Sequence, residues 1–326
     1  MAIIGGKKVK LFSLSANIPL AKEISAASGI ELSDLNLARF ADGEISINMD
    51  DSVRGYDVYV VQPTSAPVNE HYMELFIMVD ALKRASSNSI TVIMPYYGYS
   101  RQDRKAKSRQ PITAKLVADL LQTAGVDRVI SIDLHAAQIQ GFYDIPIDNF
   151  PGAPLLSTYF KKKKLQDIVV VSPDHGGATR VRDFARRLKG STIAIMDKKR
   201  PSANKAEVLS IIGEVKDKNA ILVDDIIDTG GSMVAAAKAL MAAGAKSVYA
   251  AATHPVFSNE ALINIENCEH LKEVVVTNTI QLPPNTPSKV TQLSMGPLLG
   301  QAILHLVKDE SISQIFDRFG EEIESK

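Results

Sequence analysis

The chain is poor in cysteine and has no net charge. Cys268 is alone among 326 residues, and 37 lysines and arginines balance 37 aspartates and glutamates. One cysteine excludes an internal disulfide framework and suits a reducing compartment. By itself Cys268 reads as a packing residue. The charge balance excludes a global basic field that would draw the chain to nucleic acid or a membrane, so any anion site must be local. There is no run of about 18 apolar residues able to cross a bilayer. Met1–Lys10 also lacks the apolar core of a signal peptide. A cytoplasmic protein is expected, with neither nucleic acid nor membrane as partner.

What is present is ordinary globular composition, 45% apolar and 23% charged, on a chain longer than one typical core. Two domains are therefore expected. Short β-branched runs recur at Val9–Leu14, Asp57–Gln62, Ile90–Pro95, Arg128–Asp133, Asp167–Ser172, Thr192–Asp197, Ala220–Asp224, Ser247–Thr253 and Glu273–Thr277. Helical stretches lie between many of them. Asn17–Ser28 has Pro19 in its first turn and stops at Gly29. Thr113–Thr123 has Leu116, Val117, Leu120 and Leu121 on one face and ends at Gly125. Nearly all-apolar strands alternating with helices predict an α/β fold, with parallel sheets covered on both faces. The cluster Pro151, Gly152 and Pro154 predicts a boundary near Phe150. The expected domains are thus 1–150 and 151–308, with 309–326 packing back on the first.

Ligands of open parallel sheets bind beyond the carboxyl ends of the strands, so those ends are where to search. The clearest end is Ala220–Ser232. An apolar strand runs into Asp224 and Asp225, then Asp228, Thr229, Gly230, Gly231 and Ser232, and the Ala-rich helix Met233–Ala243 follows. The two glycines let backbone approach a ligand. The free N–H groups of a first helical turn make a site for a phosphate dianion. Thr229 and Ser232 can add hydroxyl donors, while Asp224 and Asp225 can accept from a pair of sugar hydroxyls.

Other strand ends carry chemistry too. Ser172-Pro173-Asp174-His175-Gly176-Gly177 is a strand entering a glycine loop, where consecutive N–H groups form an anion nest. Asp133 and His135 stand at a strand–loop junction, where both can address one Mg²⁺ or its waters, although Mg²⁺ prefers oxygen. Arg101–Arg109 has five cations in nine residues directly after a strand. The lysines at 161–164 have no motif beside them and are expected to be solvated. Lys198 and Arg200 follow another strand, in a basic, polar stretch able to close over reactants. Phe40 with Asp42, Gly43 and Glu44, and the polar turn with Ser311 and Ser313, complete the set.

The Asp224–Ser232 segment resembles the phosphoribosyl-diphosphate motif of type I phosphoribosyltransferases. With the other clusters in order, the chain resembles ribose-phosphate diphosphokinases over essentially its whole length, the bacterial phosphate-activated class above all. That resemblance implies two tandem phosphoribosyltransferase-like domains and a reaction that moves the β,γ-diphosphate of ATP onto C1 of ribose 5-phosphate. It implies an ATP site of Phe40, Asp42, Gly43, Glu44, Arg101 and Gln102, with Phe40 stacked on adenine and supplied by a neighbouring subunit. The sugar phosphate would take Arg200, Asp224, Asp225, Asp228, Thr229, Gly230, Gly231 and Ser232. The loop of Asp174, His175, Gly176 and Gly177 would hold the diphosphate, with no role given to the His175 side chain. Mg²⁺, two ions per site, would involve Asp133, His135 and Asp174. Lys198 and Arg200 would be catalytic. Ser311 and Ser313 would form a regulatory anion site, with phosphate activating and ADP inhibiting, in a homohexamer. A phosphoribosyltransferase would need a base-binding hood and would have no use for Arg101-Gln102, Asp133-x-His135 and Lys198-x-Arg200 together. A non-catalytic regulatory homologue is the alternative, but Asp133, His135, Asp174, Lys198, Arg200 and Asp228 are all present.

Overall fold

The computed structural model describes residues 2–199, 208–313 and 315, with the side chains at 198, 199, 208 and 209 excepted. Two compact units divide at Pro151 and Gly152. The first contains β1 (Ala2–Ile4), β2 (Lys7–Ser13), α1 (Ile18–Ser28), β3 (Asn36–Arg39), β4 (Ile45–Asn48), β5 (Asp57–Val61), α2 (Val68–Arg84), β6 (Ser89–Ile93), α3 (Thr113–Ala124), β7 (Arg128–Ile132) and β8 (Ile147–Phe150). Its sheet has the order β1-β2-β5-β6-β7-β8. Every pairing is parallel except β1 with β2. Strands β3 and β4 form a separate antiparallel hairpin.

The local chemistry explains the helix ends. Asn17 caps α1 by accepting the Leu20 N–H at 3.1 Å, and Gly29 stops the helix at φ 69°. Helix α3 ends at Gly125, φ 118°. Its buried face differs from the one expected. Ala114, Val117, Ala118 and Leu121 are buried, whereas Leu116 and Leu120 are exposed. The stripe that meets the core follows i, i+3, i+4, i+7, and its two alanines let the helix axis sit close to its neighbours.

The second unit contains α4 (Ala153–Lys162), β9 (Ile168–Ser172), α5 (Ala178–Arg187), β10 (Thr192–Lys199), β11 (Val208–Ile212), β12 (Asn219–Ile227), α6 (Gly231–Ala242), β13 (Ser247–Pro255), α7 (Ala261–Asn267), β14 (Leu271–Thr277) and β15 (Val290–Leu293). The sheet order is β11-β10-β9-β12-β13-β14-β15. From β10 to β15 it is parallel, and β11 is an antiparallel edge. Successive residues of each central strand enter opposite cores. Val169, Val171, Leu222 and Val274 pack with α6 residues, whereas Val170, Ile221, Val223 and Val275 pack with α4 and α5 residues. Cys268 is buried in the first of these cores, as a packing cysteine should be. Lys163, expected to be solvated, ion-pairs with Glu273 at 2.7 Å and lies over the Tyr159 ring.

This topology marks one position. From β9 the chain steps to β10 on one side, and from β12 it steps to β13 on the other. The carboxyl ends of the paired strands β9 and β12 therefore flank a crevice, the usual ligand position in such sheets.

Helix α8 (Gly296–Val307) belongs to the first unit, together with Thr279–Gln281 and the segment beginning at Ser294. This differs from the expected assignment of residues up to 308 to the second domain. The reason is a close helix–helix approach. A Cβ at Gly300 would lie 2.6 Å from Ala27 Cβ, and one at Gly296 2.5 Å from Glu23 Cβ, so α8 presses its glycines on α1.

Candidate active site

In the second unit, the loop after β9 is held by its own polar atoms. Ser172 Oγ donates to the Asp174 carbonyl at 2.6 Å, and the Gly177 N–H donates to Asp174 Oδ1 at 3.0 Å. A Cβ at Gly177 would stand 2.5 Å from Ser172 Oγ, so the tight turn requires glycine there. His175 Nε2 lies 3.1 Å from Asp197 Oδ1 and ties this loop to β10 just before Lys198.

Strand β12 does not end at Asp224 as expected. It continues through both carboxylates to Ile227, because Asp224 and Ile226 keep their pairing with Ala252 and His254 of β13. The turn is then Asp228–Gly230. Gly230 has φ 75°, which a side chain would strain, and precedes Gly231, the first residue of α6. The N-cap residue of α6 is Gly230, which offers no side chain to cap it, and the first turn holds no acid. A Cβ at Gly231 would find nothing nearer than Thr229 Oγ1 at 3.8 Å. The open N–H groups of this turn and the helix dipole suit a dianion.

Arg180 joins the two loops. From the first turn of α5 its Nη1 reaches Asp224 Oδ1 at 3.1 Å and its Nη2 reaches Asp225 Oδ1 at 3.1 Å. The Asp225 N–H also donates to Asp224 Oδ1 at 2.9 Å. Burial pushes the Asp224 carboxyl up to about 8. Its hydrogen bond to Asp225 and the Asp225 charge act in the same direction, while Arg180 opposes them.

In the first unit, the corresponding edge lies after β5, β6 and β7. A cavity of about 430 Å³ is lined by Pro67, Asn69, Glu70, Tyr99, Arg101 and Gln102, among others. Gln102 is fixed there. Its Oε1 accepts from Thr113 Oγ1 at 2.5 Å, and its carbonyl accepts the Ala114 N–H at 3.2 Å. The β3–β4 hairpin is anchored beside this cavity, since Arg39 pairs with Glu70 at 2.6 Å and with the buried Glu74 at 3.5 Å. Its tip, Phe40–Glu44, is closed by Phe40 N–H to Glu44 O at 2.8 Å and Glu44 N–H to Asp42 Oδ1 at 3.1 Å. The Phe40 ring is 60% exposed, so it is not the core residue that an isolated phenylalanine would ordinarily be. Asp133 follows β7 at φ 39°, with its N–H on the Phe150 carbonyl at 2.8 Å, and His135 is exposed. Gln138, three residues on, donates to Asp103 at 2.6 Å and so links this turn to the Arg101–Arg104 segment.

Sequence and fold both match known proteins over most of the chain. A family profile for the N-terminal domain of ribose phosphate pyrophosphokinase matches residues 9–125. A second, for the phosphoribosyl synthetase-associated domain, matches residues 195–317. The chain is 58% identical over 311 residues to ribose-phosphate pyrophosphokinase of Bacillus caldolyticus, covering 95% of this chain and 98% of that one. It is 56% identical over 313 residues to the Bacillus subtilis protein of the same name, with 96% and 98% covered. The crystal structure of phosphoribosylpyrophosphate synthetase from Mycobacterium smegmatis superposes with a TM-score of 0.88 at 41% identity, covering 93% of this chain and all of that one. The chain belongs to the ribose-phosphate pyrophosphokinase family.

As a pyrophosphokinase-family chain, it collects the residues singled out in its sequence on two rims. Asp174–Gly177, Asp224, Asp225 and Asp228–Ser232 share the switch-point rim of the second unit. Phe40–Glu44, Arg101, Gln102, Asp133 and His135 are tied to one edge of the first unit by the contacts given above. Lys198 lies in β10 by its backbone, paired with Leu209, and its side chain is outside the described residues, as is Arg200. Ser311 and Ser313 stand apart. They are exposed, their hydroxyls are 2.8 Å from each other, and the neighbouring Asp309, Glu310 and Ile312 line a cavity with Lys7, Asp57, Ser89 and Arg128. Those four open β2, β5, β6 and β7, so the serine turn sits at the opposite edge of the sheet from Arg101.

The residues proposed for metal fit a hard cation held loosely. Among the described residues no three carboxylate, imidazole or thiol groups form a cage. Asp174 is exposed, with one oxygen steadied by Gly177, which suits Mg²⁺ that keeps waters and leans on substrate phosphates. Sequence reasoning missed Arg180. Its signal was an arginine three residues past Gly177, on the first turn of the following helix.

Proposed function

We propose that this chain makes 5-phospho-α-D-ribose 1-diphosphate, transferring the β,γ-diphosphate of ATP to the C1 hydroxyl of ribose 5-phosphate and releasing AMP. The observation that carries the reading is the uncapped start of α6 beside the Asp224–Asp225 pair. It offers a dianion seat and a diol acceptor on one rim, as a sugar phosphate requires. In this reading the second unit takes ribose 5-phosphate and the first takes ATP.

The 5-phosphate accepts from the N–H groups of the Gly230–Ser232 turn and the hydroxyls of Thr229 and Ser232. Asp224 and Asp225 accept from the 2- and 3-hydroxyls, and Arg200 adds charge to the same substrate. The Asp174–Gly177 loop receives the diphosphate through its N–H groups. Arg101 grips polyphosphate, Gln102 and Glu44 read adenine, and Phe40 from a neighbouring subunit stacks on it. The C1 oxygen forms its bond to the β-phosphorus as the bond to the α,β-bridging oxygen breaks. Such transfers depend on positioning and charge stabilisation more than on covalent help. Lys198 and Arg200 neutralise charge that gathers on the phosphorus. Asp133 and His135 in the first unit, and Asp174 in the second, would each hold Mg²⁺, which would screen phosphate oxygens. Ser311 and Ser313, at the opposite edge of the first unit's sheet from Arg101, are read as a site where phosphate activates and ADP inhibits, in a homohexamer. Dependence on ATP and a single reduced cysteine suit the cytoplasm.

A ³¹P NMR time course with ATP, ribose 5-phosphate, Mg²⁺ and phosphate tests the reaction. AMP and a C1-linked diphosphate should grow together only when sugar is present. ADP in place of AMP would mean γ-phosphate transfer and would sink the proposal. Nucleotide binding without turnover would favour the regulatory-homologue reading.

A further inference from the structure

We propose that Arg180 is a positioning residue for the sugar, its guanidinium holding Asp224 and Asp225 together as one diol-accepting pair. The inference rests on the functional reading above and adds a residue to it. Neighbouring residues of a β-strand point to opposite faces, and both aspartates lie within β12. Alternation alone would send their carboxylates apart. Yet Oδ1 of each lies 3.1 Å from a different Nη of one guanidinium. The planar fork is what brings two diverging side chains onto one ligand, and it sets their orientation as well as their charge.

The fork is built into the fold. Arg180 is the third residue of α5, and helical side chains lean toward the N-terminus, here toward the strand ends. Asp225 is only 3% exposed, so water cannot take the guanidinium's place on its carboxylate. Burial and the Asp225 charge favour a protonated Asp224, and Arg180 works against them, toward the carboxylate that a sugar hydroxyl needs as acceptor. The same geometry argues against Arg180 as a phosphate clamp. Both of its Nη atoms are engaged by carboxylates, and the open N–H groups of α6 provide the anion seat.

Steady-state kinetics of Arg180→Ala, Arg180→Gln and Arg180→Lys test this, with thermal melts to establish folding. In Arg180→Ala, KM for ribose 5-phosphate should rise about 30-fold or more, the scale of truncating one partner of a buried charge pair. Turnover at saturating sugar should fall far less, and KM for ATP should stay at the wild-type value. Arg180→Gln should behave like Arg180→Ala. Arg180→Lys restores charge without the fork and should fall between Arg180→Ala and wild type. A wild-type KM for ribose 5-phosphate in Arg180→Ala, a parallel rise in KM for ATP, or a loss confined to kcat would each overturn the proposal. Should Arg180→Ala fail to fold, the split between the two KM values in Arg180→Lys decides. A wild-type protein that consumes no ribose 5-phosphate would instead refute the functional reading, and it is recognised before any variant is made.

Discussion

Replacing Asp224 with asparagine should make the ligand-free protein more stable at alkaline pH and inactive at any pH. The folded carboxyl holds its proton up to about pH 8, while the same group in an unfolded chain releases it near 3.8. Folding therefore takes up a proton throughout the interval between those values, and stability falls as pH rises across it. From pH 6 to pH 8 the loss is about 2 kcal/mol, which for a unfolding unit of this size is about 4–8 °C in Tm. Asp224→Asn removes the titration and keeps one oxygen to face Arg180. Circular-dichroism melts at pH 6 and pH 8, without ligands, should show a shallower decline for the variant than for the wild type, and a higher Tm for it at pH 8. Equal declines in the two proteins would refute the reasoning, since the half-buried Asp224 carboxyl would then contribute nothing to the pH slope. The price of binding a diol is a carboxylate pair that the empty fold tolerates poorly.

Other perturbations separate roles that lie close together. Lys198→Ala should lose about 10²- to 10³-fold in turnover while ATP still binds, the usual effect of removing one preorganised cation. Wild-type turnover in that variant would remove Lys198 from the mechanism. Gly230→Ala should destabilise by about 1–2 kcal/mol, because its φ of 75° disfavours a side chain and Ala261 O would lie 3.3 Å from the new Cβ. Gly231→Ala should leave Tm unchanged, since its Cβ would enter open space, but raise KM for ribose 5-phosphate about 10- to 100-fold. Gly300→Ala should cost about 1–3 kcal/mol in thermal melts by forcing α8 off Ala27 and the Ile24 carbonyl of α1, with KM values unmoved.

How much was legible in advance follows from where each determinant lies along the chain. The Asp224–Ser232 rim could be read because strand, acidic pair, glycines and helix are contiguous, and backbone N–H groups need no distant partner to form an anion seat. Helix α1 was legible for the same reason, with Asn17, Pro19 and Gly29 acting within one turn of themselves. The errors came where contact replaced adjacency. Leu116 and Leu120 looked like core because periodicity finds an apolar stripe without saying which edge of it meets the sheet. Helix α8 was assigned to the second domain because sequence order is silent on Gly296 and Gly300 pressing against α1.

The sequence by itself determined the α/β class and which strand ends carry polar and charged residues, because these depend on residue type and local spacing. Tertiary structure decided which ends meet. Pairing of β9 with β12 puts the Asp174 loop beside the Asp224 loop, although about fifty residues separate them in the chain. It also decided that Asp224 and Asp225 act together, because Arg180 reaches them from another element and overrides the alternation of the strand. A carboxylate's identity is local, but its direction and its proton affinity are set by whatever the fold packs around it.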